Sequence, residues 1–270
     1  MHKFLRAIGF SDITKKDLEM ILDEVITRPE IMKITKDSEG NEFAELSGSF
    51  AANAGITVRG TYQEDDSFHM DYYYPYVFGT SITTNEQIDV EKHAEKESYA
   101  GVCDEVNLGV TLIFYIQNVA DYLAETNRHL SKIHYGAMLA GLSTEGKILC
   151  PVVERKKNDV PAIQKNDRHN QLIAQAREGD EDAIESLTLE DMDTYALLSQ
   201  RVMKEDIFSI VKSTFMPFGI ESDQYTVLGE IIDCVTMENK LTHEKLYGMK
   251  LLCNNIQFDV CINEKDLLGE

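Results

Sequence analysis

The chain has 270 residues, of which 43% are hydrophobic and 27% charged, so it is long enough to bury an ordinary core in one large or two smaller domains. Its 47 acidic and 26 basic side chains give a net charge of −21. This surplus excludes generic binding to nucleic acids or anionic membranes, because both require clustered positive charge. The longest apolar stretch, Val110–Ile116, is far shorter than the ~20 residues of a membrane-spanning helix.

The first predicted element is an amphipathic helix near the N-terminus. Thr14, followed three residues later by Asp17, is typical of a helix N-cap with an acidic first turn. Pro29 is expected to end the helix. The apolar positions of its buried face recur at helical spacing: Leu18, Ile21, Leu22, Val25 and Ile26.

Residues 31–78 change to the period-two alternation of β-strands. Turn-forming residues cluster at 37–40 and 64–67, which predicts antiparallel hairpins. The stretch Ser47–Gly55 is small and polar, and it fits either a loop or an edge strand.

The middle of the chain has a mixed pattern. The acidic stretch 82–100 has no clear period, whereas Tyr99–Ile116 predicts one or two buried strands and Asn118–Leu130 predicts a helix. Ile133–Val153 is expected to form a hairpin through the turn Ser143–Gly146.

The second half of the chain is predicted to be helical first and β-rich afterwards. A charged linker precedes short helices, and a last apolar stripe runs through Phe215 and ends at Pro217. The sequence therefore predicts an α+β fold in which antiparallel β regions flank a helical segment. We divide it into an N-terminal α+β domain, 1–153, a linker and helical segment, 154–219, and a C-terminal β-meander or partial barrel, 220–270.

The most specific prediction concerns a hairpin near the C-terminus, preceded by a third strand within Tyr225–Thr236. Asn254 and Asn255 suit a two-residue type I′ turn, because asparagine tolerates positive φ. With that turn Lys250 lies opposite Asp259, and a one-residue slip would destroy this opposite-charge pair. The same register predicts an apolar and aromatic face from four pairs: Cys253 with Ile256, Leu251 with Phe258, Met249 with Val260, and Tyr247 with Ile262.

The segment Tyr72–Tyr76 contains four tyrosines and is the most unusual local feature. Tyrosine combines apolar area with a hydroxyl, which suits a ligand or partner surface. The alternative is a strand packed on the core with tyrosine at its rim. The candidate binding residues are His69, Asp71, Tyr73 and Tyr76; alternation predicts that His69, Asp71 and Tyr73 share one face and that Tyr72, Tyr74 and Tyr76 share the other.

Common catalytic signatures are absent from the sequence, including glycine-rich nucleotide loops, HExxH, GxSxG and EF-hand loops. A metal site stays open as a hypothesis, because acidic residues and a histidine alternate over 89–97. On a strand, five ligand-type side chains would share one face: Asp89, Glu91, His93, Glu95 and Glu97. On a helix, only subsets such as Asp89, His93 and Glu97 would align, and these three are the candidate metal ligands. The alternative is a solvated acidic face with lysines interspersed. The sequence does not identify a cofactor.

The five cysteines contain no CxxC pair and lie mostly among apolar neighbours. They are predicted to be reduced and buried, which is typical of a reducing compartment. Gly9, Ser11 and Asp12 interrupt the apolar N-terminus, so we expect no signal peptide and a cytoplasmic location.

Three stretches carry a resemblance to a known family: Met1–Phe10, Gly109–Tyr115 and the region from Asp223 to Asn263. They resemble an uncharacterised family of gut Clostridia and related Firmicutes that is classed as a domain of unknown function. The resemblance covers nearly the whole chain and implies a bacterial cytoplasmic origin. It supplies no activity, cofactor or catalytic residue, and it implies that related proteins continue past Leu267–Glu270.

Two functional hypotheses follow from these observations. The first is a binding or adaptor protein without catalytic activity, whose partner is a basic protein or a small molecule, since the chain is strongly acidic. The alternative is a metal-assisted hydrolase or other small-molecule enzyme that uses scattered Asp, Glu and His side chains. The decisive question is whether His69, Asp71 and Tyr73 line a concave pocket or a flat face.

Overall fold

A computed structural model places most of the chain. The described residues are 2–93, 96–105, 107–127, 136–149, 213–219 and 223–268. Met1–Lys147 and Ser213–Glu270 form one compact unit, and Ile148–Lys212 form a second. The linker and helices predicted over 154–219 lie outside the described residues as far as residue 212.

The described part of the first unit is mostly β-structure. Its helical elements are a 3-10 helix over Lys3–Ile8, α1 over Lys15–Thr27, α2 over Val119–Asn127 and a 3-10 turn over Glu264–Asp266. Its strands are β1 Ile31–Lys36, β2 Glu42–Ala51, β3 Ala54–Tyr62, β4 Phe68–Val77, β5 Asp89–Lys92, β6 Tyr99–Glu105, β7 Val110–Tyr115, β8 Ala140–Ser143, β9 Gly146–Lys147, β10 Thr214–Pro217, β11 Tyr225–Leu228, β12 Glu230–Glu238, β13 Lys245–Cys253, β14 Ile256–Asn263 and β15 Leu267–Leu268. The sheets have the strand orders β1-β2-β3-β4, β5-β6-β7, β12-β13-β14-β8, β10-β11 and β15-β9.

Helix α1 forms where the sequence predicts it. The Thr14 side chain accepts a hydrogen bond from the Asp17 backbone N–H at 3.2 Å, and the Asp17 carboxylate accepts one from the Thr14 backbone N–H at 3.3 Å. This reciprocal capping box satisfies backbone N–H groups that have no partner inside the helix. The helix ends at Thr27, two residues before Pro29. Its apolar face is buried against the N-terminal sheet at Leu18, Ile21, Leu22 and Val25.

The N-terminal sheet is an antiparallel meander of β1 to β4, as predicted. The small residues of Ser47–Gly55 do not form an edge strand but the turn end of the hairpin between the two central strands, β2 and β3. Small side chains are required there because the chains approach closely. A Cβ added to Gly55 would lie 2.1 Å from the Gly48 carbonyl oxygen.

The C-terminal hairpin has the predicted register. Asn254 and Asn255 both have positive φ, 44° and 69°, and Lys250 lies opposite Asp259. All four predicted apolar and aromatic pairs are present: Cys253 with Ile256, Leu251 with Phe258, Met249 with Val260, and Tyr247 with Ile262. The meander is therefore confirmed, with β12 as its third strand, and the described residues contain no closed barrel.

Two local predictions are wrong. β8 and β9 do not pair as a hairpin through Ser143–Gly146; β8 runs parallel to β14, and β9 runs parallel to β15. Phe215 does not end a helical stripe but lies on strand β10, which pairs with β11. The partners of β8 and β9 lie far away in the sequence, which local patterning cannot reveal, whereas β10 pairs with the strand that follows it in the chain.

The first apolar cluster combines the two ends of the chain. Helix α1 and strands β2 and β3 share it with Leu246 of β13 and Cys261 of β14. A second cluster joins β6 and β7 to the hairpin around Phe258. The α+β class therefore holds in its coarse form, and Met1–Lys147 and Ser213–Glu270 belong to one compact unit. No described helix is both long and apolar enough to cross a membrane.

Candidate functional site

Strand β4, which contains the tyrosine-rich segment Tyr72–Tyr76, contributes side chains to a buried polar layer on one face of the N-terminal sheet. At its centre lies Arg59 of β3, which is only 3% exposed. Its Nε donates to Glu45 Oε2 at 2.9 Å, and the β2–β3 register sets the two residues directly opposite each other. A buried charge requires an opposite charge and hydrogen bonds to offset its desolvation, and this pair supplies both.

Two tyrosine hydroxyls and two carbonyls complete the bonding of the guanidinium. Arg59 Nη1 donates to Tyr72 Oη at 2.8 Å, and Nη2 donates to Tyr74 Oη at 2.7 Å. Nη2 also donates to the carbonyls of Ile116 and Gln117, which precede α2, at 3.2 and 2.8 Å. Burial raises the pKa of both tyrosines although the Arg59 charge opposes it, so both hydroxyls stay protonated. The layer therefore links β2, β3 and β4 to the residues that precede α2.

The predicted binding residues of β4 do not share one face, because a β-bulge interrupts the strand. The β3–β4 pairing shifts register and leaves Asp71 as the extra residue. Alternation reverses at such a bulge, so His69 falls on the side opposite to Tyr73. The prediction that His69, Asp71 and Tyr73 share one face is therefore wrong.

These candidates occupy different environments. His69 is exposed, and Asp71 is half-buried. Tyr73 packs against the first apolar cluster. Tyr76 is 2% exposed with its ring centroid 4.5 Å from that of Phe78, and burial raises its pKa to about 12. The strand therefore matches the alternative interpretation of a tyrosine-rich strand packed on the core.

Glu97, a candidate metal ligand, is bound by other side chains of the protein. Its carboxylate accepts hydrogen bonds from Lys92 Nζ at 2.7 Å, Ser38 Oγ at 2.5 Å and Tyr99 Oη at 2.5 Å. Burial raises its pKa, but these three donors outweigh burial and hold the pKa of Glu97 below its ordinary value. The carboxylate is therefore ionised and satisfied, and it ties the β1–β2 turn to β5 and β6.

The other two candidate ligands, Asp89 and His93, make different contacts. Asp89 begins β5 and accepts a hydrogen bond from Gln87 Nε2 at 3.2 Å, while the ring of His93 lies 5.3 Å from that of Tyr115. Because β5 is a strand, its rise of ~3.3 Å per residue spreads Asp89 and His93 about 13 Å apart. Within the described ranges, no three His, Cys, Asp or Glu side chains are grouped closely enough to hold a metal ion.

Three of the cysteines are buried and reduced, as predicted. Cys103, Cys253 and Cys261 are at most 1% exposed, and burial raises the pKa of Cys261 to about 12. Cys234 differs because it is exposed on β12, where burial of its thiol and the neighbouring Asp233 raise its pKa. None of these four thiols therefore has the lowered pKa that a reactive nucleophile requires.

Among the described strands, β12 has the largest share of exposed residues. Eight of its nine residues are exposed, on both faces of the strand. Its apolar side chains Ile231, Ile232 and Val235 are 41%, 40% and 54% exposed. It is an edge strand that pairs with β13 on one side, and the described residues place no strand on its other side. An edge strand of this kind presents unpaired backbone N–H and C=O groups to another chain.

Two other sheet edges are partly covered by side chains. On β1, the Lys36 carbonyl accepts a hydrogen bond from Asn127 Nδ2 of α2 at 3.1 Å. On β7, the Tyr225 hydroxyl accepts a bond from the Ile113 backbone N–H at 2.7 Å. On β12, the Cys234 backbone N–H donates to the side chain of its own neighbour, Asp233, at 2.9 Å, beside a β-bulge. On this edge the Asp233 carboxylate is thus a hydrogen-bond acceptor supplied by the strand itself.

Residues 5–270 match a family described as "Domain of unknown function, E. rectale Gene description (DUF3881)". The chain belongs to this family. The match confirms the resemblance carried by the sequence and extends over nearly the whole DUF3881 chain. No curated protein and no solved structure matches it. Function is therefore inferred from the geometry and chemistry of the chain's own residues.

The exposure of β12 is the feature of this DUF3881 chain that sequence reasoning missed. Residues 231–237 read Ile-Ile-Asp-Cys-Val-Thr-Met, a mainly apolar run typical of a strand buried on both faces. The only local signal against burial is the charge of Asp233 within the run. Edge position depends on which strands pair, and periodicity does not contain that information.

Proposed function

We propose that this DUF3881 protein is a non-catalytic binding protein that accepts an extended segment of a protein partner along β12. The observation that supports this proposal is a nine-residue edge strand with three exposed apolar side chains and exposure on both faces. This is the adaptor hypothesis with a different binding surface, which is β12 and no longer the tyrosine-rich strand β4.

Strand addition is the binding mode that suits such an edge. The backbone of an incoming segment bonds to N–H and C=O groups along the outer side of the edge strand, and alternate side chains provide specificity. Burial of Ile232 and Val235 against that segment would add a hydrophobic contribution. Of the two partner classes considered, a small molecule fits less well, because small-molecule sites enclose most of the ligand in a concave pocket.

The proposal predicts that a charge on β12 abolishes binding without unfolding the protein. We would select nine-residue peptides from a display library on the wild-type protein. The selected peptides are expected to slow amide hydrogen exchange over residues 230–238 and to lose at least about tenfold in affinity on Val235→Lys, because edge lysines oppose strand addition. Val235 is 54% exposed, so the folded state tolerates the change.

The matched control is Ile34→Lys on edge strand β1, where the side chain is 48% exposed. It adds the same charge to another sheet edge and is expected to leave peptide binding unchanged. The proposal fails if the selected peptides bind Val235→Lys as tightly as wild type, or if protection appears away from β12.

A further inference from the structure

We infer that the segment accepted by β12 is basic: an extended peptide in which Lys or Arg side chains alternate with apolar ones. This inference rests on the proposed function and names the chemistry of its partner. Strand β12 carries three acidic residues, Glu230, Asp233 and Glu238, and no Lys, Arg or His; Glu238 is bonded by His243 Nδ1 at 2.6 Å, and Asp233 is the acidic residue nearest the middle of the strand. The whole chain, at −21, adds a long-range field of the same sign.

Asp233 is the acidic side chain of β12 that we expect to recognise a basic residue of the partner. Its carboxylate accepts a bond from the Cys234 backbone N–H, and the described residues form no ion pair with it. Lys250 lies opposite in the β12–β13 register and also lies opposite Asp259 of β14, so one lysine stands between two aspartates. A partner strand would partly desolvate Asp233, and a basic side chain beside it would offset that penalty.

The same carboxylate disfavours other occupants. An acidic segment would set like charges side by side, and an uncharged one would bury Asp233 without compensation. The β-bulge before Asp233 and the charge itself are devices that limit indiscriminate edge pairing. The edge therefore discriminates among partners by repulsion as well as by attraction.

A second copy of the chain is disfavoured for the same reason. Antiparallel self-pairing about the strand midpoint, Cys234, would set Glu230 near Glu238 of the second copy, and like charges side by side destabilise a strand pair. Two chains of net charge −21 would also repel each other at long range.

The test compares three synthetic peptides of nine residues, in which valine alternates with lysine, with serine or with glutamate. Binding to the full chain is measured by fluorescence anisotropy, and hydrogen exchange locates the contact. At low salt the lysine peptide is expected to bind about tenfold more tightly than the serine peptide, and the glutamate peptide more weakly than both. The preference should shrink in about 0.5 M salt because salt screens exposed charges.

Two variants separate a local from a general charge effect. Asp233→Asn keeps an acceptor for the Cys234 N–H and is expected to remove most of the preference for lysine over serine. Glu64→Gln removes the same charge from the exposed β3–β4 turn and should leave the preference intact. Equal loss in both variants would overturn the assignment to β12 side chains.

The outcomes also distinguish the inference from the proposed function. If the three peptides bind equally and protect residues 230–238, strand addition stands and the basic partner is refuted. If the glutamate peptide binds more tightly than the lysine peptide and protects residues 230–238, strand addition also stands and the basic partner is also refuted. If no peptide binds or protects β12, both the basic partner and strand addition are refuted. If the free chain self-associates and this blocks binding of the lysine peptide, the occupant of β12 is a second copy of the chain and the basic segment is refuted.

Discussion

At the scale of single residues, the buried charge of Arg59 shows how the sheet and the chain entering α2 are held together. Its guanidinium bonds Glu45, two tyrosine hydroxyls and two backbone carbonyls, so partners on two neighbouring strands and one loop depend on it. Removing one side of a buried pair leaves the other side desolvated and unpaired. The tyrosines Tyr72 and Tyr74 of β4 are therefore explained by bonding within the fold.

We expect Arg59→Met to lower the free energy of unfolding by about 3–5 kcal/mol at pH 7, because Glu45 would remain buried without its partner. Burial already raises the pKa of Glu45 despite Arg59. The loss should therefore shrink as the pH falls and Glu45 is protonated. Urea denaturation at several pH values measures both effects. The exposed Arg28→Met is the control, expected within ~0.5 kcal/mol of wild type, and a loss below about 1 kcal/mol for Arg59→Met would contradict the prediction.

The pKa of Glu97 is shifted in the opposite direction to that of Glu45. Its pKa in the folded protein lies below the ordinary 4.5 of a glutamate, so its contribution to stability is complete above that value and is lost as the pH falls through the folded pKa. Glu97→Gln is thus expected to be less stable than wild type at pH 7, with the difference closing below pH 4.5. Thermal melts from pH 7 to pH 3 measure this. Glu91→Gln, exposed on β5, is the control, and a constant difference across the range would exclude the role given to Glu97.

At the scale of elements, short-range patterns determine structure where the turn chemistry and the alternation agree. The β13–β14 hairpin has both an Asn-Asn turn and a continuous set of cross-strand pairs, and it formed in the predicted register. Strand β4 alternates regularly in sequence, and nothing local indicates its bulge at Asp71. Alternation alone therefore places His69 on the same face as Tyr73, whereas the two lie on opposite faces.

We expect the stability of the turn between β13 and β14 to depend on how easily the residue at position 255 adopts positive φ. Asn255 has φ 69°, which glycine adopts without penalty, so Asn255→Gly should keep or raise the melting temperature. Asn255→Val should lower stability by about 1–2 kcal/mol, because a β-branched residue is strained in this region. Calorimetry compares the two variants. Gln257→Val, at an exposed strand position, controls for loss of an amide, and equal melting temperatures for Asn255→Val and Asn255→Gly would contradict the turn assignment.

At the scale of the whole molecule, the N-terminal segment and the C-terminal strands are bonded into one unit. Asn239 Nδ2 donates to the Ile8 carbonyl at 2.7 Å, and Thr242 Oγ1 donates to the Gly9 carbonyl at 2.6 Å. Gly9 has φ 90°, and a Cβ there would lie 2.6 Å from the Asn239 Cβ, so only glycine fits this contact. The two ends of the sequence therefore form one core.

We expect residues 1–153 not to fold alone. Their apolar cluster lacks Leu246 and Cys261, and β8 lacks its partner β14. The fragment should show poor chemical-shift dispersion by NMR, and addition of a separate 213–270 fragment should restore dispersed signals. The full chain is the control. A dispersed spectrum from 1–153 by itself would show that the N-terminal region is an independent domain after all.

The sequence by itself determined the elements whose signals are local: the cap and face of α1, the β1–β4 meander, the C-terminal hairpin with its register and the burial of three cysteines. These depend mainly on side-chain spacing and turn chemistry between neighbours in the chain. Only the tertiary structure decided that β8 and β9 pair in parallel with β14 and β15, that the polar face of the N-terminal sheet is closed over Arg59, and that β12 lies at an edge. The physical reason is that a strand's pattern records which faces it buries, whereas its neighbours are chosen by backbone pairing across long separations.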